Sequence, residues 1–138
     1  GRPVFTSGGF AQPEAVIEYR NRVLSLSLGW LQSISHRSLE PVMFEALLAL
    51  VALVQLVDDL LDWKDDWACR RPTYVTAFLR EWTQPSRPSW DQLRAHANRL
   101  WRFLVDASRC RGEIVPLMLA GGVVWVMAMV ILRLRLPE

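Results

Sequence analysis

Cysteine is scarce in this 138-residue chain: Cys69 and Cys110 are the only two, and they do not form a CxxC pair. Two cysteines are too few for a disulfide scaffold or for a zinc site built from cysteine. Disulfide-rich secreted domains are therefore excluded, and a reducing, cytoplasmic setting is the simpler expectation. The opening residues contain neither an initiator methionine nor an apolar signal-peptide core, so we expect a fragment of a longer protein.

Excess charge of one sign is also lacking. Lys64 is the single lysine, and the formal net charge is only +2. So mild a surplus is not the basic footprint of a nucleic-acid-binding protein, and no nucleic-acid partner is expected. Hydrophobic residues make up 51% of the chain and charged residues 22%, which excludes disorder as the main state. The length predicts a single domain over residues 1–138.

Strand signals are few, because no segment alternates apolar and polar residues cleanly. Helical periodicity recurs instead and predicts helices over residues 13–35, 40–68, 72–82, 89–108 and 113–133. Residues 85–88 are predicted to form a loop, and Ser89 with Gln92 to form a capping box that starts the fourth helix. We therefore expect an all-α fold, a bundle of about five helices.

The second predicted helix ends in an acidic segment. At about 100° per residue its five aspartates fall within an arc of about 120° on one face: Asp58, Asp59, Asp62, Asp65 and Asp66. Like charges spaced i, i+4 destabilise a helix by about 0.2–0.5 kcal/mol per pair, and a divalent cation would offset that cost. Because oxygen ligands suit Mg²⁺ or Mn²⁺, we predict Asp58, Asp62 and Asp66 as metal ligands, with Asp59 supporting a metal-bound water. The alternative is a solvated acidic end on a buried helix.

The same helix face is apolar further upstream. Phe44, Leu47 and Val51 lie there, followed by Gln55. A face with carboxylates at one end and apolar side chains at the other suits a ligand with an anionic head and a hydrocarbon tail. These four residues are the predicted substrate-tail pocket, and ordinary helix packing is the alternative for each apolar member.

Residues 55–66 resemble the second aspartate-rich motif of class I isoprenoid diphosphate synthases, in which glutamine precedes an aspartate pair and a third aspartate. An alternative alignment is with the second metal helix of terpene synthases, whose ligands share the i, i+4, i+8 spacing of Asp58, Asp62 and Asp66. The resemblance implies Mg²⁺-dependent ionisation of an allylic prenyl diphosphate, by a prenyltransferase or a terpene synthase-like enzyme. It also implies the C-terminal half of the class I isoprenoid synthase fold.

Three arginines are the diphosphate-binding candidates. Arg22 lies in a segment similar to the Glu-Tyr-x-x-Arg helix of terpene synthases, where an arginine senses the diphosphate; an exposed amphipathic face is the alternative. Arg70 and Arg71 follow the acidic helix and could approach the diphosphate. The family also needs a first aspartate-rich motif, which these residues do not contain. The expected partner is therefore a missing N-terminal half or a second copy in a homodimer, and we expect this chain alone to lack activity.

A long apolar run closes the sequence. Residues 114–132 carry no charge and would span roughly 28 Å as a helix, close to the ~30 Å hydrocarbon core of a bilayer. Arginines flank both ends, so the run predicts either membrane association or a buried helix. The second hypothesis for function is accordingly a small helical membrane-anchored or protein-interaction module without catalysis. An all-α pyrophosphohydrolase is disfavoured, because its paired glutamates are not found here.

Overall fold

The computed structural model describes residues 13–36, 38–69, 71, 73–78 and 87–135. Within these residues there are five α-helices and no strand, so the all-α prediction is confirmed. The helices are α1 (Pro13–Ser35), α2 (Pro41–Ala68), α3 (Tyr74–Phe78), α4 (Arg87–Cys110) and α5 (Val115–Arg135). A single 3-10 turn, Gly112–Ile114, leads into α5.

The ends of α1 and α2 follow from local chemistry. Each helix begins at a proline, whose fixed φ suits the first turn and whose missing N–H is not needed there. The first helix stops where His36 adopts a left-handed φ of 52°. The second closes with Cys69 N–H donating to the Asp65 carbonyl and Arg71 N–H donating to the Asp66 carbonyl. Both helices have the predicted extents.

The later boundaries differ from the prediction. The fourth helix begins at Arg87, so the predicted loop over residues 85–88 and the capping box at Ser89 are wrong where the chain is described. Proline is tolerated in the first turn of a helix, and Pro88 occupies that turn rather than breaking it. Among the described residues α3 covers only Tyr74–Phe78; the predicted start at Pro72 and the stretch 79–82 lie outside the described residues.

The hydrophobic core lies around α2, which packs against α4 and α5. Its fully buried side chains include Leu53, Leu56 and Leu60. Glu40, just before α2, pairs with Arg111, just before α5, and Leu53 lies beside Gly121, so α2 and α5 run in the same direction. The fourth helix runs opposite to both.

Gly121 and Gly122 allow α5 to approach α4 closely. A Cβ on Gly121 would meet Leu104, and a Cβ on Gly122 would lie 2.9 Å from Cη2 of Trp101. The Trp101 ring has little freedom to move, because it stacks on Trp125 with ring centroids 5.6 Å apart. Trp125 is itself fixed by a 2.9 Å hydrogen bond from its Nε1 to Asn98. The glycine pair therefore sets the spacing of the two helices.

A glycine comparison tests this packing. Gly122→Ala should lower the free energy of unfolding by about 1–2 kcal/mol, because overpacking outweighs the gain in helix propensity. Gly29→Ala on α1 is the matched control, since nothing lies within 4 Å of its added Cβ. The control should raise stability by about 0.5–1 kcal/mol. Urea unfolding measures both, and equal changes of the same sign would contradict the close approach.

Candidate functional site

The acidic end of α2 divides into an inner and an outer set of carboxylates. Asp59 and Asp66 are buried, with 5% and 7% of their surface exposed. Asp58 and Asp62 are exposed. The predicted ligand row of Asp58, Asp62 and Asp66 thus lies along the edge of the buried face, with its last member turned inward. Periodicity placed these residues on one side of the helix, and the packing of other elements decides which are covered.

Asp59 joins three helices. Its Oδ2 accepts a 2.9 Å hydrogen bond from the Tyr74 backbone N–H, which anchors α3 to α2. Arg20 of α1 donates from Nη2 to both Asp59 oxygens at 3.3 and 3.4 Å and from Nη1 to Gln55 at 3.3 Å. The Arg20 guanidinium also lies 5.5 Å from the centre of the Tyr74 ring. The sequence predicts Gln55 in the tail pocket and Asp59 beside a metal-bound water. In the structure both side chains bind Arg20 of α1.

The ionisation of Asp59 is shifted by this packing. The pKa of Asp59 is raised from the ordinary value of 3.8 to about 6, mainly by burial and to a smaller extent by the nearby carboxylates Asp66 and Asp58. The Arg20 charge and the Tyr74 N–H act in the opposite direction without cancelling it. Desolvation therefore outweighs the ion pair, as is common for buried charges.

Asp66 and Arg71 form a second pair where α2 ends. Arg71 Nη1 lies 3.6 Å from Asp66 Oδ1, and the arginine side chain is 67% exposed. Burial raises the pKa of Asp66, Arg71 lowers it, and the carboxylate of Asp62 raises it again. Arg71 is thus next to the predicted ligand row, as its proposed diphosphate role requires. Arg70 lies outside the described residues.

The arginine that α1 directs at the acidic helix is Arg20 and not the predicted Arg22. Arg22 is 63% exposed and pairs with Glu18 one turn away at 3.3 Å. Arg20 occurs within the half-buried stripe of α1, one turn after Val16 and one turn before Leu24. The sequence contains a signal for this contact, because Arg20 lies at helical spacing inside an apolar stripe. A charge in such a stripe needs a partner on the neighbouring element.

The apolar part of the α2 face that carries the aspartates is only partly covered. Phe44, Leu47 and Val51 are all half-buried. A cleft of about 240 Å³ lies on the neighbouring face of α2, between α1 and α4, where its walls include Leu48 and Phe103. The three predicted wall residues do not line this cleft. They remain candidates for a tail pocket that other protein surface would have to complete.

A metal ion fits the outer carboxylates only in part. Among the described residues, no group of three or more histidine, cysteine, aspartate or glutamate side chains is placed to hold a metal ion together. Asp58 and Asp62 are exposed, one turn apart and not ion-paired with a described residue. Mg²⁺ commonly binds through one or two carboxylates, waters and substrate phosphates, and this pair suits that mode rather than an all-protein cage.

A buried histidine lies on the other side of Tyr74. The ring centre of His96 is 5.6 Å from that of Tyr74 and 6.0 Å from that of Phe78. Burial and the nearby charge of Arg99 together lower the pKa of His96 to about 4, so the ring is neutral at physiological pH. His96 therefore supports the packing of α3 on α4 rather than acid–base chemistry.

No protein-family model, curated protein or solved structure matches this chain. The resemblance to class I isoprenoid synthases therefore stays a prediction from the residues that carry it.

The two arginines of α1 provide a matched test of the site. Arg20→Met should lower the free energy of unfolding by about 2 kcal/mol at neutral pH, because it leaves the buried Asp59 carboxylate without its cation. Arg22→Met should change it by no more than about 0.5 kcal/mol, since surface ion pairs contribute little. Urea unfolding monitored by circular dichroism measures both. Equal losses in the two variants would rule out the special role of Arg20.

The raised pKa of Asp59 predicts how stability depends on pH. Between pH 3.8 and about 6 the folded protein binds a proton at Asp59 that the unfolded chain releases. The contribution of this proton is therefore complete below the unfolded pKa and is lost as pH rises through about 6, a change of at most roughly 3 kcal/mol. Asp59→Asn, which still accepts from the Tyr74 N–H, should flatten this slope.

The slope is measured by urea unfolding at intervals across the window. A residual slope from Asp66, whose pKa is shifted in the same direction, should disappear in the double variant with Asp66→Asn. If Asp59→Asn kept the full slope of the original protein, the assignment would fail.

Proposed function

We propose that this chain contributes the diphosphate-binding half of a Mg²⁺-dependent class I isoprenoid synthase-like enzyme, acting on an allylic prenyl diphosphate. The single observation behind the proposal is the outward row of Asp58 and Asp62, held on a helix whose two buried carboxylates, Asp59 and Asp66, are engaged by other elements. A solvated acidic end would leave all five aspartates free. Here Asp59 and Asp66 lie inside the bundle, which fixes the direction of the three exposed ones, Asp58, Asp62 and Asp65.

The inner residues have a positioning role in this proposal. Arg20, Asp59 and the Tyr74 N–H fix the rotation of α2, so that Asp58 and Asp62 point away from the core. Arg71, next to Asp66, supplies a cation that can reach a diphosphate bound at the same edge. When bound, Mg²⁺ would neutralise the charge that develops on the departing diphosphate.

The apolar part of the same α2 face has the complementary role. Phe44, Leu47 and Val51 continue the carboxylate face and would contact the hydrocarbon tail while excluding water from it. These three side chains are only half-buried, and the proposal has two metal ligands, Asp58 and Asp62, rather than three. The site therefore needs a second surface. The proposal assigns that surface to a further acidic helix, either from a longer form of this protein or from a second copy.

The test is titration of Mg²⁺ and inorganic diphosphate into the protein encoded by the complete reading frame, followed calorimetrically. Asp58→Asn and Asp62→Asn should each weaken diphosphate binding by about tenfold or more, because each removes a charged ligand. Asp106→Asn is the control, since Asp106 is an exposed carboxylate on α4 that pairs with Arg109. It should bind diphosphate like the unchanged protein.

Two outcomes would refute the proposal. One is unchanged Mg²⁺-dependent diphosphate binding in both α2 variants, which would remove the metal role. The other is equal weakening in Asp106→Asn, which would show that general charge, not a site, attracts the ligand. Circular dichroism of each variant establishes that the helices are retained.

A further inference from the structure

The outer face of α5 is an uninterrupted apolar stripe. Its side chains recur every three or four residues within an arc of about 120°, and all are exposed by between 37% and 80%. We call these residues the α5 stripe: Val115, Leu119, Val123, Val126, Met127, Val130 and Leu134. A row of exposed aliphatic side chains this long exceeds the scattered apolar residues of an ordinary surface and indicates a binding face.

Exposed arginines lie at both ends of the stripe, with carboxylates beside those at its start. No charge interrupts residues 114–132; Arg109 and Arg111 precede the run and Arg133 follows it. Arg109 pairs with Asp106, Arg111 pairs with Glu40, and Glu113 lies directly before the run. Arg102, Asp106 and Arg109 also line a groove between α4 and α5, beside the Trp125 ring. Ion pairs on the surface contribute little to stability, so a headgroup phosphate can replace the carboxylate partner of an exposed arginine. An apolar strip with exposed arginines at both ends therefore matches the combination of acyl chains and anionic headgroups at a bilayer surface.

Hydropathy alone would favour a helix that crosses the membrane. The segments Pro41–Ala68 and Gly112–Leu134 are both long and apolar enough, with mean hydropathies of 1.9 and 2.4. The packing opposes that orientation. The fourth helix lies along α5 over several turns. Ser108 contacts Met118 at one end of this stretch, and Asn98 accepts a hydrogen bond from Trp125 at the other. If α5 crossed a bilayer in this bundle, the charged α4 residues Arg102 and Asp106 would enter hydrocarbon, at a cost of several kcal/mol.

We infer that α5 docks in the plane of an anionic bilayer, with the α5 stripe against the acyl chains and the flanking arginines on headgroup phosphates. The opposite side of α5 stays packed on α2 and α4 through Gly121 and Gly122. Membrane binding of this kind needs no unfolding of the bundle. It is independent of the proposed diphosphate chemistry, because the carboxylates of that site lie on α2.

A second copy of the chain fits the stripe less well. A strip about 28 Å long and one helix wide covers a few hundred Å², whereas a stable interface buries roughly 800 Å² per partner. The small area of the stripe therefore favours lipid over self-association.

The experiment is sedimentation with vesicles of phosphatidylcholine and phosphatidylglycerol in equal parts, compared with vesicles of phosphatidylcholine alone. The protein should bind the anionic vesicles and be released by an alkaline carbonate wash. Leu119→Asn with Val123→Asn should reduce binding by about tenfold or more, because it removes apolar contact area. Arg109→Gln with Arg133→Gln should reduce it by about fivefold per charge, and only on anionic vesicles.

The matched control is Val23→Asn with Leu26→Asn, an exposed pair of the same residue types on α1. It should bind vesicles like the unchanged protein. Carbonate-resistant retention would overturn the proposal in favour of a spanning helix. A stable dimer by light scattering that ignores vesicles would overturn it in favour of a second copy, and equal loss in the α1 control would show that the α5 stripe is not the contact.

Discussion

The fold of the acidic segment depends on one buried carboxylate. Asp59 is withdrawn from water and retained by an arginine from α1 and a backbone N–H from α3. A buried carboxylate without such partners would be costly, so these contacts fix where α1 and α3 lie on α2. The same contacts fix the rotation of α2 and therefore the direction of every other aspartate on it. Packing and candidate chemistry are linked through a single side chain.

This constraint gives neighbouring residues of one motif different roles. Asp59 and Asp66 act in the interior or at its edge, and Asp58 and Asp62 face outward. A motif described only as a row of acids does not contain that distinction. The packing also explains why the described residues form no complete metal cage, because two of the five aspartates are engaged with arginines. A ligand that brings its own phosphate oxygens would complete the coordination of the outward pair, which is how Mg²⁺ is commonly held.

Much of the fold could be predicted from the sequence, and less of the site. The extents of α1 and α2 follow from a proline at each start and an unbroken helical period. The start of α4 does not, because a proline such as Pro88 is typical both of a loop and of the first turn of a helix. Periodicity placed the aspartates on one face but could not separate the buried from the exposed, because Arg20 comes from 39 residues away in sequence. The motif resemblance indicates Arg22, whereas the apolar stripe around Arg20 indicates the arginine that contacts the acidic helix.

The most direct measurement is the position of a bound paramagnetic ion. Mn²⁺ added with inorganic diphosphate broadens the amide resonances of nearby residues, so an NMR spectrum of the isotopically labelled protein locates the ion even when binding is weak. The account predicts selective broadening at Asp58 and Asp62, with the Arg20 amide less affected. Broadening spread evenly over all the acidic residues, or centred on α4, would contradict it.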